Sequence, residues 1–439
     1  MRHDLARADT GRLPRLPNAP EGAAIGATLF NRYGSSLFIF LAIALGTNGI
    51  FFFFASTERP NPGDLPTATG GNYLGYVALW VGLWLWTAVY QALRLYRQGL
   101  DWSLIFATPV VLLVLISSVW SVSPPTTLYF GSMLIANILV AHAMATMVHP
   151  RLFIRILFWV LGLSLVMSFL LLVIKPEIAA GTRFGGGWLS GIEFNGVFAH
   201  KSAAGYHFGL LLIALVLGFS HHRRPRLELA IGALTLVALS MTNSATGFAG
   251  AVFISLAFLA ERLLRLRQPV IMVAMATFCV LIATVSPFID LGSLAELVGR
   301  DSGLTGRSQI WPAGIAAFLE RPILGYGYYG FFYPGDFSPV WKVWNADPYF
   351  KTPHFHSTIL DLAVSFGIVG LAVYAYSLWV AFSAIRNRSL DIQTRQNIIA
   401  LLSMMVLSSA FDFTIMFHNS FATIILFYCF FASQTTYRT

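Results

Sequence analysis

The residues with most to offer chemically lie in two segments between apolar runs. One holds His200 and Lys201. The other holds Arg300, Arg307, His354 and His356. A guanidinium fork binds phosphate through two hydrogen bonds and keeps its charge at any working pH. Arg300 and Arg307 therefore suggest anion recognition, with solvated arginines paired to Asp301 as the plainer alternative. Histidine titrates near neutral pH, which suits a general base, and His356 is the first candidate with His354 in support. The plain alternative is a pair of interfacial histidines. A metal reading needs further ligands. His200 is a possible third, but no cysteine and few carboxylates of these segments support it, so no metal is expected. Lys201 at a span start also suits a headgroup anchor. Arg183 is a further cation of the first segment. Arg321 beside Pro322 reads as a helix C-terminal cation. Ser357 is placed to cap the helix that follows, and Asp361 falls in that helix's first turn, where a carboxylate suits the dipole and could orient a histidine.

The elements that must position these groups are apolar spans. The chain has 439 residues, 56% hydrophobic and only 11% charged, and a mean hydropathy of +0.69. A soluble domain carries about 25% charged residues. Soluble, disordered and coiled-coil classes are thereby excluded, and an all-α polytopic membrane protein is left. About twelve spans are expected: 36–55, 73–93, 103–120, 127–148, 153–174, 203–220, 227–242, 246–263, 269–287, 357–382, 397–415 and 419–433. The expected organisation is a cytoplasmic leader over 1–35 and spans one to nine over 36–288, with an outer segment at 175–204. A long outer segment over 289–356, spans ten to twelve over 357–433 and a tail over 434–439 complete it. The leader does not read as a cleaved signal peptide.

The net charge of +9 does not indicate nucleic acid, because the basic residues sit in short clusters between spans. With both termini in the cytoplasm, 19 of the 28 basic residues fall inside, as membrane topology requires. Eight of the nine outside basic residues lie in the two outer segments, where they do not serve topology and need another role. Within the longer one, Trp311, Ile315, Phe318 and Leu319 recur at helical spacing. They predict a short amphipathic helix from Trp311 to Leu319, lying on the membrane surface or on the spans, with Pro312 in its first turn. His142, His207 and Asp412 fall in or near spans. Asp412 reads as a packing or pairing residue with no partner evident. Cys279 and Cys429 sit in apolar runs and suggest neither a disulfide nor a metal site.

Three stretches carry a resemblance to the O-antigen ligase and polymerase family of bacterial envelope glycan assembly, which includes WaaL-type ligases, Wzy-type polymerases and ExoQ-like proteins. Gly196-Val-Phe-Ala-His-Lys-Ser202 resembles the family's G-x-F-x-H-K-N segment. Arg300-Asp-Ser-Gly-Leu-Thr-Gly-Arg-Ser-Gln-Ile-Trp311, then Arg321-Pro-Ile-Leu-Gly-Tyr-Gly327, resembles its paired-arginine and R-P-x-x-G-x-G run. His354-Phe-His-Ser357, with Asp361 and Gly367-Ile-Val-Gly370, resembles its H-x-H-N segment and the following helix. Ser240–Thr246 is a looser match. Ser202 and Ser357 stand where the family has Asn, and Asn195 where it often has Arg.

The resemblance implies a GT-C-like helical membrane fold in the bacterial inner membrane, with the site facing the periplasm. It implies an inverting, metal-independent glycosyltransferase that takes an undecaprenyl-diphosphate-linked glycan donor, without cofactor. His356, Arg307 and His354 would be catalytic, and Arg300, Lys201, His200, Arg183 and Asp361 would bind substrate. The favoured reaction is polymerisation of repeat units into an exopolysaccharide or O-antigen. The alternative is ligation to a lipid A core or protein acceptor. A chain-length regulator of the export machinery is a further expected partner. A transporter fits less well, because the chain shows neither clear internal repeats nor charges concentrated at mid-membrane.

Overall fold

The computed structural model describes residues 21–49, 73–182, 192–198, 200–217, 225–288, 307–333, 335, 338–344, 354–412 and 415–435. They form an all-helical bundle: α1 (Glu21–Gly46), α2 (Tyr73–Gln98), α3 (Thr108–Ile116), α4 (Pro124–Met147), α5 (Pro150–Ile174), α6 (Pro176–Ala179), α7 (Lys201–Val216), α8 (Pro225–Thr242), α9 (Ala245–Leu264), α10 (Gln268–Val285), α11 (Arg307–Glu320), α12 (Trp341–Trp344), α13 (Thr358–Phe382), α14 (Ile392–Ser408) and α15 (Phe421–Gln434). A two-stranded antiparallel hairpin, β1 (Ala180–Thr182) with β2 (Ile192–Phe194), precedes α7. A helix lies over each of the twelve expected spans. Among the described residues, six helical segments are long and apolar enough to cross a membrane by length and composition: 74–98, 102–119, 124–147, 150–174, 268–288 and 358–386.

Two expectations need correction. The eleventh span was placed over 397–415, but α14 ends at Ser408. Polar Ser408 and Ser409 and then Asp412 lead into a non-helical connection before α15. The outer helix expected over Trp311–Leu319 runs from Arg307 to Glu320, so Pro312 lies inside it rather than in its first turn. There it offers no amide to the carbonyl four residues earlier. Of the two placements expected for this helix, on the membrane surface or on the spans, its packing fits the second. Ile310 and Trp311 are buried with Phe331, Phe332, Phe355, Leu360 and Val364 in a second apolar core, which locks the outer segment onto α13.

The lock depends on a break in α13. At Gly367 the backbone turns to φ 63°, ψ −155°, a region open in practice only to glycine. A broken helix frees carbonyls and amides that must find partners. Here the Arg321–Gly327 segment supplies them. The amides of Tyr326 and Gly327 donate to the carbonyls of Val364 and Ser365, each at 2.9 Å, and the Ile368 amide donates to the Pro322 carbonyl at 2.8 Å. The approach is too close for side chains. A Cβ on Gly367 would lie 2.3 Å from the Ile323 carbonyl, and one on Gly325 2.5 Å from the Ser365 backbone. The same segment reaches α4 and the α14–α15 connection: Thr127 donates to the Tyr328 carbonyl at 2.9 Å, and the Tyr328 hydroxyl donates to the Met416 carbonyl at 3.0 Å. Arg321 lies 4.6 Å over the Tyr326 ring, which agrees with the structural role expected of it.

Gly367→Ala should lower the thermal unfolding midpoint of the detergent-solubilised protein. Strain at such a position costs about 1–3 kcal/mol, and the clash adds to it. Gly162→Ala is the control, because a Cβ there meets nothing within 4 Å. Equal midpoints for the two variants would contradict the interlock.

Candidate functional site

His354-Phe-His356 is a short non-helical stretch, so alternate side chains point to opposite sides. Phe355 is fully buried against Phe331 and Phe332, at 5.5 and 5.0 Å between ring centroids. The two histidines thereby face the other way, with their rings 4.2 Å apart. The stretch is held at three points. The Phe355 amide donates to Asp361 Oδ1 at 2.9 Å. Trp311 Nε1 donates to the Phe355 carbonyl at 2.9 Å. The His356 amide donates to His354 Nδ1 at 3.1 Å. His356 itself sits at φ 54°, an unusual conformation for a residue with a Cβ. Ser357 occupies the N-cap position of α13, but its hydroxyl makes no cap bond. Asp361, 1% exposed, anchors the loop's backbone from one turn inside the helix.

Facing the pair is Asp412, from the α14–α15 connection. Its Oδ1 lies 3.4 Å from His356 Nδ1 and 3.8 Å from His354 Nε2. The Thr358 amide donates to the Ser409 carbonyl at 3.0 Å and the Thr358 hydroxyl to the Asp412 carbonyl at 3.3 Å, so the histidine loop and the aspartate are tied together by backbone. The sequence reading gave Asp412 no partner; its partners are the two histidines. The first outer segment is anchored on α5. Gly196, at φ 59°, packs so tightly on Ser168 of α5 that a Cβ would lie 2.3 Å from its hydroxyl, and Ser168 in turn accepts from the Val197 amide at 3.0 Å. The chain then delivers His200 as the N-cap of α7, its Nδ1 accepting from the Ser202 amide at 3.2 Å. His200 is close enough to Asp412 and His356 to feel both charges. Its basicity falls because of burial first, then Lys201 and His356, against the opposing pull of Asp412.

The remaining expected residues separate. Lys201 pairs with Glu193 of β2 at 2.6 Å. Arg307 is the first residue of α11. Arg183 and Arg300 lie outside the described residues. His418 was missed by the sequence reading. It is buried, within 4.2 Å of the Phe130 and Phe417 rings and 5.0 Å of Tyr329, and Phe417 lies 6.1 Å from His354. Its signal was the polar run His418-Asn-Ser420 where the last two expected spans meet. Among the described residues, His354, His356 and Asp412 have ligand-type atoms all within 4.8 Å of one another and could hold a metal. His207 is fully buried and stacks on Phe198 at 4.6 Å. His142 bonds Gln91 at 2.8 Å and lies 3.2 Å from Asp101, which pairs with Arg94.

A polytopic helical membrane protein with a histidine–carboxylate cluster gathered before the start of α13 and past the end of α14 is the class that fold and site define. Residues 229–375 match the O-antigen ligase family model. The chain is also similar to the exopolysaccharide production protein ExoQ of Rhizobium meliloti, 36% identical over 87 residues, which are 19% of this chain and 20% of the relative. The chain thus aligns with about a fifth of that relative's length. Together these findings support the O-antigen ligase/polymerase family for this integral membrane protein. The matched region includes His354, His356 and Asp361, begins after His200 and ends before Asp412.

Asp361→Ala removes the acceptor of the Phe355 amide and should destabilise the loop by about 1–3 kcal/mol. Asp361→Asn keeps an oxygen there and should retain most of the wild-type stability, read by thermal unfolding. Equal losses in Ala and Asn would contradict the anchoring role.

Proposed function

We propose that the protein is a glycosyltransferase of the bacterial inner membrane that polymerises polyprenyl-diphosphate-linked repeat units on the periplasmic side, with both termini cytoplasmic. The observation that carries this reading is the cluster of His354, His356 and Asp412, drawn from segments far apart in sequence, at the start of the helix on which α11, opened by Arg307, packs. A diphosphate is already a good leaving group. What the reaction needs is positive charge where the C1–oxygen bond breaks and a base for the acceptor hydroxyl. Arg307, with Arg300 or Arg183, would stabilise the departing diphosphate.

Because Asp412 Oδ1 faces His356 Nδ1, the His356 proton belongs on Nδ1, and Nε2 keeps the lone pair that takes the acceptor's proton. Direct attack on C1 inverts the anomeric centre. His354 is unsuited to be the base: its Nδ1 already accepts the His356 amide, so its proton sits on Nε2. A metal at that nitrogen would have to displace the proton and break the amide bond, which favours metal-independent transfer. An apolar groove of about 490 Å³ lined by Phe288, Ile315, Phe318, Ile359 and Trp379 would suit a polyprenyl tail. The similarity to an exopolysaccharide production protein favours polymerisation over ligation to a lipid A core or protein. A chain-length regulator remains an expected partner.

The test is the purified protein in liposomes with lipid-linked repeat units. A ladder of products should form and persist in EDTA. His356→Ala should lower transfer about 10²–10⁴-fold, and Arg307→Lys should lose most of it, because a point charge does not reproduce bidentate binding. A single ligated product would favour the ligase, and activity lost in EDTA and restored by a divalent ion would overturn the metal-free mechanism.

A further inference from the structure

A group of aromatic rings adjoins the histidine cluster and has no part in the mechanism above. The Phe417 ring stands 6.1 Å from the His354 ring, turned 62° to it, and His354 lies 4.2 Å from His356. His418 packs on Phe417 and on Phe130 of α4, at 4.2 Å and a shallow tilt in both cases. Tyr329 meets His418 edge-on at 5.0 Å and stands 5.8 Å from Phe417. Phe417, Tyr329 and Phe130 are only half-buried, so part of each ring stays open.

Two features set this group apart from ordinary packing. His418 is 9% exposed, and its Nδ1 has no hydrogen-bond partner among the described residues. A buried imidazole nitrogen left so costs free energy that a phenyl ring in the same place would not. The backbone is also strained. Met416 at φ 61° and Asn419 at φ 53° bracket the Phe417-His418 pair, and Tyr329 sits at φ 57°. Residues with a Cβ hold such conformations mainly where a ligand is to be positioned. An aromatic wall with an imidazole set into it matches a pyranose. The polarised C–H bonds on one sugar face pack on the negative faces of aromatic rings, and the hydroxyls at its rim seek a polar partner. A diphosphate gains nothing from the rings, and a polyprenyl tail nothing from the imidazole.

We propose that Phe417, Tyr329 and His418 form a sugar-stacking subsite beside the histidine cluster. One face of a repeat-unit pyranose packs on Phe417 and Tyr329, and His418 hydrogen-bonds one of its hydroxyls. The sugar's reacting end is thereby held towards His356. The terminal sugar of the acceptor and the first sugar of the lipid-linked donor share this chemistry. The inference rests on the glycosyltransferase reading but is measured by binding, without turnover.

Three probes are titrated into the full protein in nanodiscs. They are the oligosaccharide released by mild acid from the host cell's polyprenyl-linked repeat units, the intact lipid-linked unit, and farnesyl diphosphate, which carries no sugar. Phe417→Leu keeps bulk but loses the ring, Phe417→Tyr keeps the ring, and His418→Phe keeps a ring but loses the nitrogens. Phe417→Leu and His418→Phe should each weaken binding of a sugar-bearing probe about three- to tenfold. Phe417→Tyr should bind as the wild type does, and farnesyl diphosphate should bind all three variants equally well. Loss with the free oligosaccharide assigns the wall to the acceptor, and loss confined to the lipid-linked unit assigns it to the donor. Wild-type binding of both sugar probes in Phe417→Leu, or an equal loss of farnesyl diphosphate binding, overturns the proposal. If no transfer occurs in liposomes while the binding split holds, the glycosyltransferase reading fails and the sugar subsite stands.

Discussion

Everything at the outer end of this bundle depends on one backbone exchange. α13 breaks at Gly367, and the Arg321–Gly327 segment fills the break with its own amides and a carbonyl. In an apolar surrounding, an unpaired peptide group costs several kcal/mol, so the break and its filler must form together. The segment also bonds α4 and the α14–α15 connection through Tyr328. Three distant parts of the chain are thus set in register by groups whose hydrogen bonds have no other outlet.

The candidate site is built on that frame at the cost of local strain. His356, Tyr329, Met416 and Asn419 all have positive φ, and all lie in the segments that surround the histidine pair or bond to them. Such conformations cost about 1–3 kcal/mol each when the residue carries a Cβ. They hold here because Phe355 is pinned by Asp361 and Trp311 on one side and the Asp412 connection is tied to Thr358 on the other. The outcome is a pair of imidazoles turned away from the core towards one carboxylate.

Much of this was readable in the sequence, for definable reasons. Apolar runs of membrane length announce themselves, and helices lie over all twelve expected positions. The histidine pair stands out in the sequence because imidazole titrates near neutral pH and the pair sits where a cation-rich outer segment meets a span. The length of α11 was misjudged because Pro312 was assumed to begin a helix, whereas packing of Ile310 and Trp311 in a separate core carries the helix past it. Asp412 reads in the sequence as a packing or pairing residue without a nameable partner, because hydropathy extends a span over it. Its meaning came only from three dimensions, where α14 ends four residues earlier. The glycines of Arg321–Gly327 and Gly367 resembled a family motif, but composition alone could not say that each fits the other.

The central claim is that Asp412 fixes the His356 ring so that Nε2 can act as the base. The direct measurement is single-turnover transfer by Asp412→Asn across pH, with the protein preloaded with lipid-linked donor. An amide in place of the carboxylate no longer stabilises the imidazolium that forms as the proton is taken. The account predicts a fall of about 10²-fold or more in the transfer rate, with donor binding and melting temperature unchanged. A wild-type rate and pH profile in Asp412→Asn would contradict it.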